Sequence, residues 1–305
     1  MNWLVFTSIA YFIIAVQVIV DKFLISSKRI SHPAIYAFYS GILSLATTAL
    51  FPLGAHPVSA SFFGLYFLTG IIFFFSILIL FFAYQKAEVS RVTVVVGAVM
   101  PIATYVFSLL LGSESLNVRQ IFGAFVLILG GILISWEFSP EIRRKFFDGF
   151  FLSIAAGILL AAAYSLMKFF YASDNFINVF VWSRLGLGSG ALTLFLWPSW
   201  RKKIISSLSG FKKPKKENRR TGLLFIFNKI LGGFGSILLN FSMSLGSVTV
   251  INALVSLEYA FVFILGILFS IWFHHIFEEK RGWKDILQKI SAILIIALGL
   301  ALVAV

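Results

Sequence analysis

The sequence predicts an all-α integral membrane protein with ten transmembrane helices arranged as two inverted five-helix repeats. Three observations predict it. Hydrophobic residues make up 60% of the 305 and charged residues only 12%, against about 45–50% and about 25% in soluble domains, so no water-facing surface can be assembled. Charged residues and turn formers cut the chain into ten apolar runs, each near the roughly 20 residues that a bilayer core demands. Finally, the end of the first run, Gln17-Val-Ile-Val-Asp-Lys-Phe-Leu24, is echoed at the end of the sixth by Ala163-Tyr-Ser-Leu-Met-Lys-Phe-Phe170, so that Lys22 and Lys168 stand 146 residues apart. Ala83-Tyr-Gln-Lys-Ala-Glu-Val-Ser90 and Ser242-Met-Ser-Leu-Gly-Ser-Val-Thr249 form a second echo at a separation of 159. Five spans per copy is an odd number, which forces the copies into opposite membrane orientations.

The first run, 3 to 24, lacks the basic n-region and small-residue cleavage site of a secretory signal and reads as a spanning helix. Between Ile30 and Gln85 there is no Asp, Glu, Lys or Arg, and the turn at Pro52-Leu-Gly-Ala-His-Pro57 divides that stretch into helices at 33 to 53 and 60 to 84. Runs at 90 to 111 and 118 to 136 complete a first repeat over 1–140. The second repeat, 141–305, holds runs at 148 to 171, 176 to 197, 221 to 243, 248 to 273 and 285 to 304, with a basic cytoplasmic loop at 199–220. Membrane strands would alternate with period two, which these continuous runs do not.

The net charge of +13 is not that of a nucleic-acid binder, because the basic residues are separated by apolar runs rather than laid along one polar face. Sorted by loop, nineteen Lys and Arg follow the odd-numbered helices, and Arg119 alone lies opposite. The positive-inside rule then puts the odd-numbered loops in the cytoplasm and both termini outside, in a cell (cytoplasmic or inner) membrane. The basic stretch from Arg201 to Arg220 has the composition of a flexible cytoplasmic linker, its charge topogenic; an anionic-lipid site is the alternative. With no cysteine, neither disulfides nor thiolate metal sites are available.

The run from Ser90 through Ala98-Val-Met-Pro101, the turn Leu111-Gly-Ser-Glu-Ser115 and the glycine-punctuated Gln120-Ile-Phe-Gly-Ala-Phe-Val-Leu-Ile-Leu-Gly-Gly131 carry a resemblance. On them the chain resembles the EamA-like, ten-helix branch of the drug/metabolite transporter superfamily, over nearly its whole length. The resemblance implies a carrier of small organic metabolites, amino-acid-like or related. Two features depart from the pattern: Leu257-Glu-Tyr-Ala260 stands at the level of Pro101 in the second copy, and loop charge places the termini opposite to the family's habit.

Ionisable groups in mid-helix are the sharpest functional signal, since each costs about 2.5–3.5 kcal/mol or more to insert. Glu258 is the leading candidate for binding a substrate amine or a proton, with a structural ion pair as the alternative. Arg184 and Lys229 are its natural partners and candidate holders of an anionic group, or else helix clamps. Tyr259 joins the candidate substrate-binding set because it adjoins Glu258. Lys22 and Lys168, symmetric under the repeat, are either cleft ligands or snorkelling anchors. Asn240, Asn252 and Gln17 read as interhelical glue, and the small residues at 155–163 and 186–190 as close packing.

No catalytic residues, metal site or cofactor are expected. His274-His275 with Glu278-Glu279 lacks metalloprotease spacing, and no phosphate-cradling loop exists to support ATP-driven pumping. The expected partners are the lipid bilayer, a small-molecule metabolite and a proton as candidate coupling ion, with no nucleic acid. The expectation is therefore a non-enzymatic secondary transporter working by alternating access. The alternative is a membrane-embedded enzyme or flippase acting on a lipid-linked substrate.

Overall fold

The structure, a computed structural model, describes residues 2–26, 32–86, 89–135, 143–210, 216–272 and 283–304. Among these residues it is all helix. In chain order the elements are α1 Asn2–Ser26, α2 Pro33–Ser44 with a 3-10 continuation Leu45–Leu53, α3 Ala60–Lys86, α4 Val89–Leu110, α5 Val118–Ser135 and α6 Arg143–Tyr171. Then follow α7 Phe176–Leu192 with a 3-10 turn Thr193–Leu196, α8 Pro198–Gly210, α9 Lys216–Leu245, α10 Val248–Ala253, α11 Val255–Trp272 and α12 Trp283–Ala304. Among the described residues eight stretches are long and apolar enough to cross a membrane, and shorter apolar helices cover Val118–Ile134 and Leu287–Val303. The chain is a multi-span helical membrane protein. Large side chains such as Phe12, Leu68, Ile102, Phe125 and Leu298 project from the bundle more than 40% exposed, as a lipid-facing surface requires.

Local chemistry explains the helix ends. His32 caps α2 by accepting from the Ala34 N–H at 3.2 Å, with Pro33 at the first helical position where its missing N–H costs nothing. Gly54, at φ +141°, closes the 3-10 stretch in a conformation that side-chain-bearing residues avoid. Asn175 caps α7 through Asn178 N–H, and Ser247 caps α10 through Val250 N–H.

Two elements differ from the sequence expectation. The ninth predicted span has a one-residue break at Leu254 (φ −68°, ψ −2°), so Glu258 lies in the first turn of α11 while remaining in the middle of the apolar stretch Val248–Gly266. The expected flexible linker begins with a helix, α8, whose Ile204 is fully buried and whose Ser207 shares a 2.9 Å hydrogen bond with Tyr39 of α2. The linker reading missed it because counting charges hides the one packed face.

Packing follows a crosswise pattern. α1 lies along α9 and against α11, while α3 lies along α6 and α6 against α4; α2 meets α7, α5 meets α12 and α4 meets α10. α3 and α7 approach so closely that a Cβ on Gly70 would overlap the Ser183 carbonyl, and one on Gly186 the Phe67 carbonyl. Small residues permit this backbone approach, which is the packing read from 186–190.

The connections without basic runs gather at one end of the bundle. There the Trp3 ring sits on Gly246, where a Cβ would be 2.8 Å away, and Asn175 Nδ2 donates to the Gly54 carbonyl at 3.1 Å. The His274-His275 and Glu278-Glu279 cluster, the 211–215 part of the basic loop and the turn at 27–31 lie outside the described residues.

Candidate functional site

Arg184 projects from the middle of α7 into the bundle and is only 6% exposed. Its guanidinium carbon lies 4.8 Å from the centre of the Phe73 ring and 4.5 Å from that of Phe180, so two π faces partly replace lost hydration. Nη2 donates to Ser236 Oγ of α9 at 2.9 Å. Among the described residues that is its one hydrogen bond, and no carboxylate pairs with it. A guanidinium carries five N–H donors, so most of its recognition capacity is unused.

Other buried polar atoms lack a hydrogen-bond partner among the described residues. Asn240, one turn beyond Ser236 on α9, donates to the Ser236 carbonyl at 2.8 Å while its buried Oδ1 accepts no hydrogen bond among the described residues. The buried hydroxyl of Tyr171, at the end of α6, has no hydrogen-bond partner among the described residues and stands within electrostatic reach of Arg184. Tyr164, two turns earlier on α6, is within such reach of both Arg184 and Glu258.

Glu258 is half-buried and forms no hydrogen bond or ion pair among the described residues. Tyr11 of α1, fully packed and donating to the Ile251 carbonyl at 2.7 Å, lies within its electrostatic reach. A structural ion pair with Arg184 or Lys229, the alternative reading of Glu258, is not formed among the described residues. α6, α7, α9 and α11 instead present a cation, an anion and neutral polar atoms that have not consumed one another.

The other sequence candidates are placed elsewhere. Lys229 donates to the Tyr36 hydroxyl on α2 and lies 4.3 Å from the centre of that ring and 5.5 Å from Phe225's. It precedes Ser236 by seven residues, about 10 Å along α9. Tyr259 donates to the Thr93 carbonyl at 2.7 Å and lies against Gly97, tying α11 to α4. Lys168 donates to the carbonyls of Met243 and Gly246 at 3.0 and 2.7 Å, capping the C-terminal end of α9 where a cation is favoured. Lys22 belongs to α1, but its side chain lies outside the described residues. Asn252 is glue as expected, donating to Thr104 Oγ1 of α4 at 2.9 Å.

Two clusters escaped the sequence reading. Glu114, in the turn after α4, accepts from Ser247 Oγ at 3.1 Å, Thr249 Oγ1 at 2.9 Å, Thr249 N–H at 3.3 Å and Val248 N–H, so the turn between α4 and α5 caps α10. At the same end, Asp174 accepts from Asn178 Nδ2 at 2.6 Å and Tyr66 at 3.0 Å, with His56 Nε2 at 3.1 Å. The Trp182 indole donates to the His56 carbonyl at 3.1 Å. The His56 imidazole is held above its ordinary value by its contact with the Pro57 carbonyl and then by Asp174. Partial burial pushes the Asp174 carboxyl up, but the Asn178, Asn175, Tyr66 and His56 contacts outweigh it and leave a net lowering. The only signals for this group were a His in one turn and an Asp-Asn in another, which sequence spacing cannot join.

No protein family model and no curated protein sequence matches the chain. Twenty-two solved chains match by fold, so this arrangement of helices is not particular to this sequence. One is a crystal structure described only as that of a protein, with a TM-score of 0.68 over 98% of this chain and 98% of its own at 14% identity. Likeness at that identity shows the fold alone.

Proposed function

We propose that this chain is a secondary-active carrier of small organic metabolites, anionic or zwitterionic, of the EamA-like drug/metabolite transporter kind. The observation that carries the reading is the charge inside an apolar bundle that no opposite charge matches among the described residues: a buried guanidinium without a carboxylate and a carboxylate without a cation. Ionisable groups inside membrane segments persist where function retains them. In this reading Arg184 holds a substrate carboxylate or phosphate and Glu258 binds a substrate amine or a proton, with Tyr164, Tyr171 and Asn240 completing the shell. The sequence carries no phosphate-cradling loop for a nucleotide, so in this reading a gradient or exchange drives transport.

Ten spans in two inverted repeats, 1–140 and 141–305, accommodate this chemistry. Exchanging α1 with α6, α2 with α7, α3 with α9, α4 with α10 and α11, and α5 with α12 converts the α1–α9 contact into α6–α3 and α1–α11 into α6–α4. The same exchange maps α2–α7, α5–α12 and α4–α10 onto themselves. The exchange departs from symmetry where it sends the extensive α3–α7 packing onto a slight α2–α9 contact, and such an approximate pseudo-twofold supports rocking of one half against the other around a shared site. The low-charge end, holding both termini, then faces outside, and the basic end faces the cytoplasm.

Flux into sealed liposomes tests the reading. Saturable counterflow of labelled metabolites is expected, and Glu258→Gln abolishes it or its pH dependence while folded yield stays intact. Turnover of a lipid-linked substrate without flux would end the carrier reading, and collapse of Glu258→Gln yield would make the carboxylate structural.

A further inference from the structure

Helix α8 is divided lengthwise into three sectors, as the 3.6-residue repeat shows when its residues are placed at about 100° steps. Trp200, Ile204 and Ser207 form one sector and pack on the bundle: Ile204 is 0% exposed, Trp200 lies 5.9 Å from the Phe82 ring and Ser207 meets Tyr39. The next sector carries Ile205 and Leu208, 51% and 44% exposed, with Arg201 between them. The third carries Ser199, Lys202, Lys203 and Ser206, all exposed. Just before the helix, Leu196 at 77% and Trp197 at 46% exposure extend the lipid-facing side of α7, on which Leu192 is 51% exposed.

A helix meant only to cap a bundle in water needs two sectors, one packed and one polar. The apolar sector of α8 is unsatisfied in water, is continuous with a membrane-facing helix, and is flanked by cations, with no acidic residue between Pro198 and Gly210. Apolar residues beside Lys and Arg, with Trp at the boundary, are what an interfacial helix presents to headgroups.

We infer that α8 lies in the membrane interface at the basic end and is a binding surface for anionic lipid headgroups. Ile205, Leu208 and Trp197 enter the acyl boundary, Arg201 stands at headgroup level, and Lys202 and Lys203 face the phosphates. Charge complementarity selects anionic lipid over zwitterionic lipid, because juxtamembrane cations are drawn to a negative leaflet.

Quenching of Trp197 by brominated lipid tests this in the full-length protein, without any transported solute, so failure here is distinct from failure of the transport reading. The protein is placed in phosphatidylcholine vesicles containing a minor fraction of brominated phosphatidylglycerol or brominated phosphatidylcholine. The Trp197 signal is the difference between the native protein and Trp197→Phe. Brominated phosphatidylglycerol is expected to quench that signal more than about twofold better than brominated phosphatidylcholine, and added salt should shrink the excess. The double variant Lys202→Gln, Lys203→Gln should remove the excess and leave quenching by phosphatidylcholine unchanged, since Gln keeps the helix propensity of Lys. Equal quenching by the two lipids overturns the proposal. So does an absence of quenching by either, which would place α8 against an aqueous partner instead.

Discussion

Arg184 is the residue whose environment is hardest to explain by structure alone. A buried charge matched to a carboxylate is strongly destabilised by removing its partner, by about 3–5 kcal/mol, but this guanidinium has no such partner among the described residues and one hydrogen bond to Ser236. Replacing it with an apolar side chain of similar length therefore removes an uncompensated desolvation cost. Arg184→Met is expected to leave the melting temperature in detergent unchanged or raised while lowering flux by more than about tenfold, the consequence of losing one charge-assisted contact of about 1.5–3 kcal/mol. A marked drop in melting temperature would make Arg184 a structural clamp. The His56 and Asp174 pair makes a second statement at this scale. His56 is raised from its ordinary 6.5, so its contribution is full below that value and is lost as pH rises through the raised one. Asp174 is lowered from 3.8, so its contribution is present above that value and is lost as pH falls through the lowered one. The pair supports its end of the bundle best between about pH 4 and 6.5. Melting measured at about pH 6 and about pH 8 should show a loss at the higher pH that His56→Gln abolishes; an unchanged slope in that variant would assign the dependence to other groups.

Among the elements, the junction of α9 and α10 shows how opposite helix ends are held. Lys168 meets the last carbonyls of α9 and Glu114 meets the first amides of α10, each placed where the helix dipole favours its charge. Glu114→Ala would leave the Val248 and Thr249 N–H groups without an acceptor and should cost about 1–3 kcal/mol of stability, read as an earlier unfolding midpoint. Glu114→Gln, which keeps an acceptor oxygen, should cost less, and equal losses would mean that the amides find other partners. The same junction shows what sequence reading lacks at this scale. The Gly-Ser-Glu turn was visible, but its target lies 134 residues away. The packed face of α8 was legible in the spacing of Trp200, Ile204 and Ser207, and the surrounding Lys and Arg concealed it.

At the scale of the whole molecule, two contact points at opposite ends are related by the proposed pseudo-twofold. At the basic end Tyr36 of α2 meets Phe225 of α9 at a ring separation of 5.9 Å; at the other, Trp182 of α7 meets Phe63 of α3 at 5.4 Å. A rocking carrier must open each end in turn. Since the chain contains no cysteine, paired cysteines bridged by a short thiol crosslinker give a clean test. Bridging 36 with 225, or separately 63 with 182, should stop counterflow in a manner that single cysteines do not. Unimpaired flux with either bridge complete would mean that the halves do not rock at these points.

Composition and apolar runs alone determined that the chain crosses a membrane repeatedly as helices, because solvent preference is a sum over residues and needs no knowledge of neighbours. They also singled out Glu258 and Arg184, since an intramembrane charge is costly wherever its helix packs. Tertiary structure decided what each charge meets: among the described residues Glu258 and Arg184 form no ion pair, Lys229 lies against Tyr36, and Lys168 caps a helix end. It also broke the ninth helix at Leu254 and joined His56 to Asp174 across 118 residues. Partnership depends on which helix faces come together, and that follows from contacts such as the glycine-mediated approach of α3 and α7, which no local stretch of sequence contains.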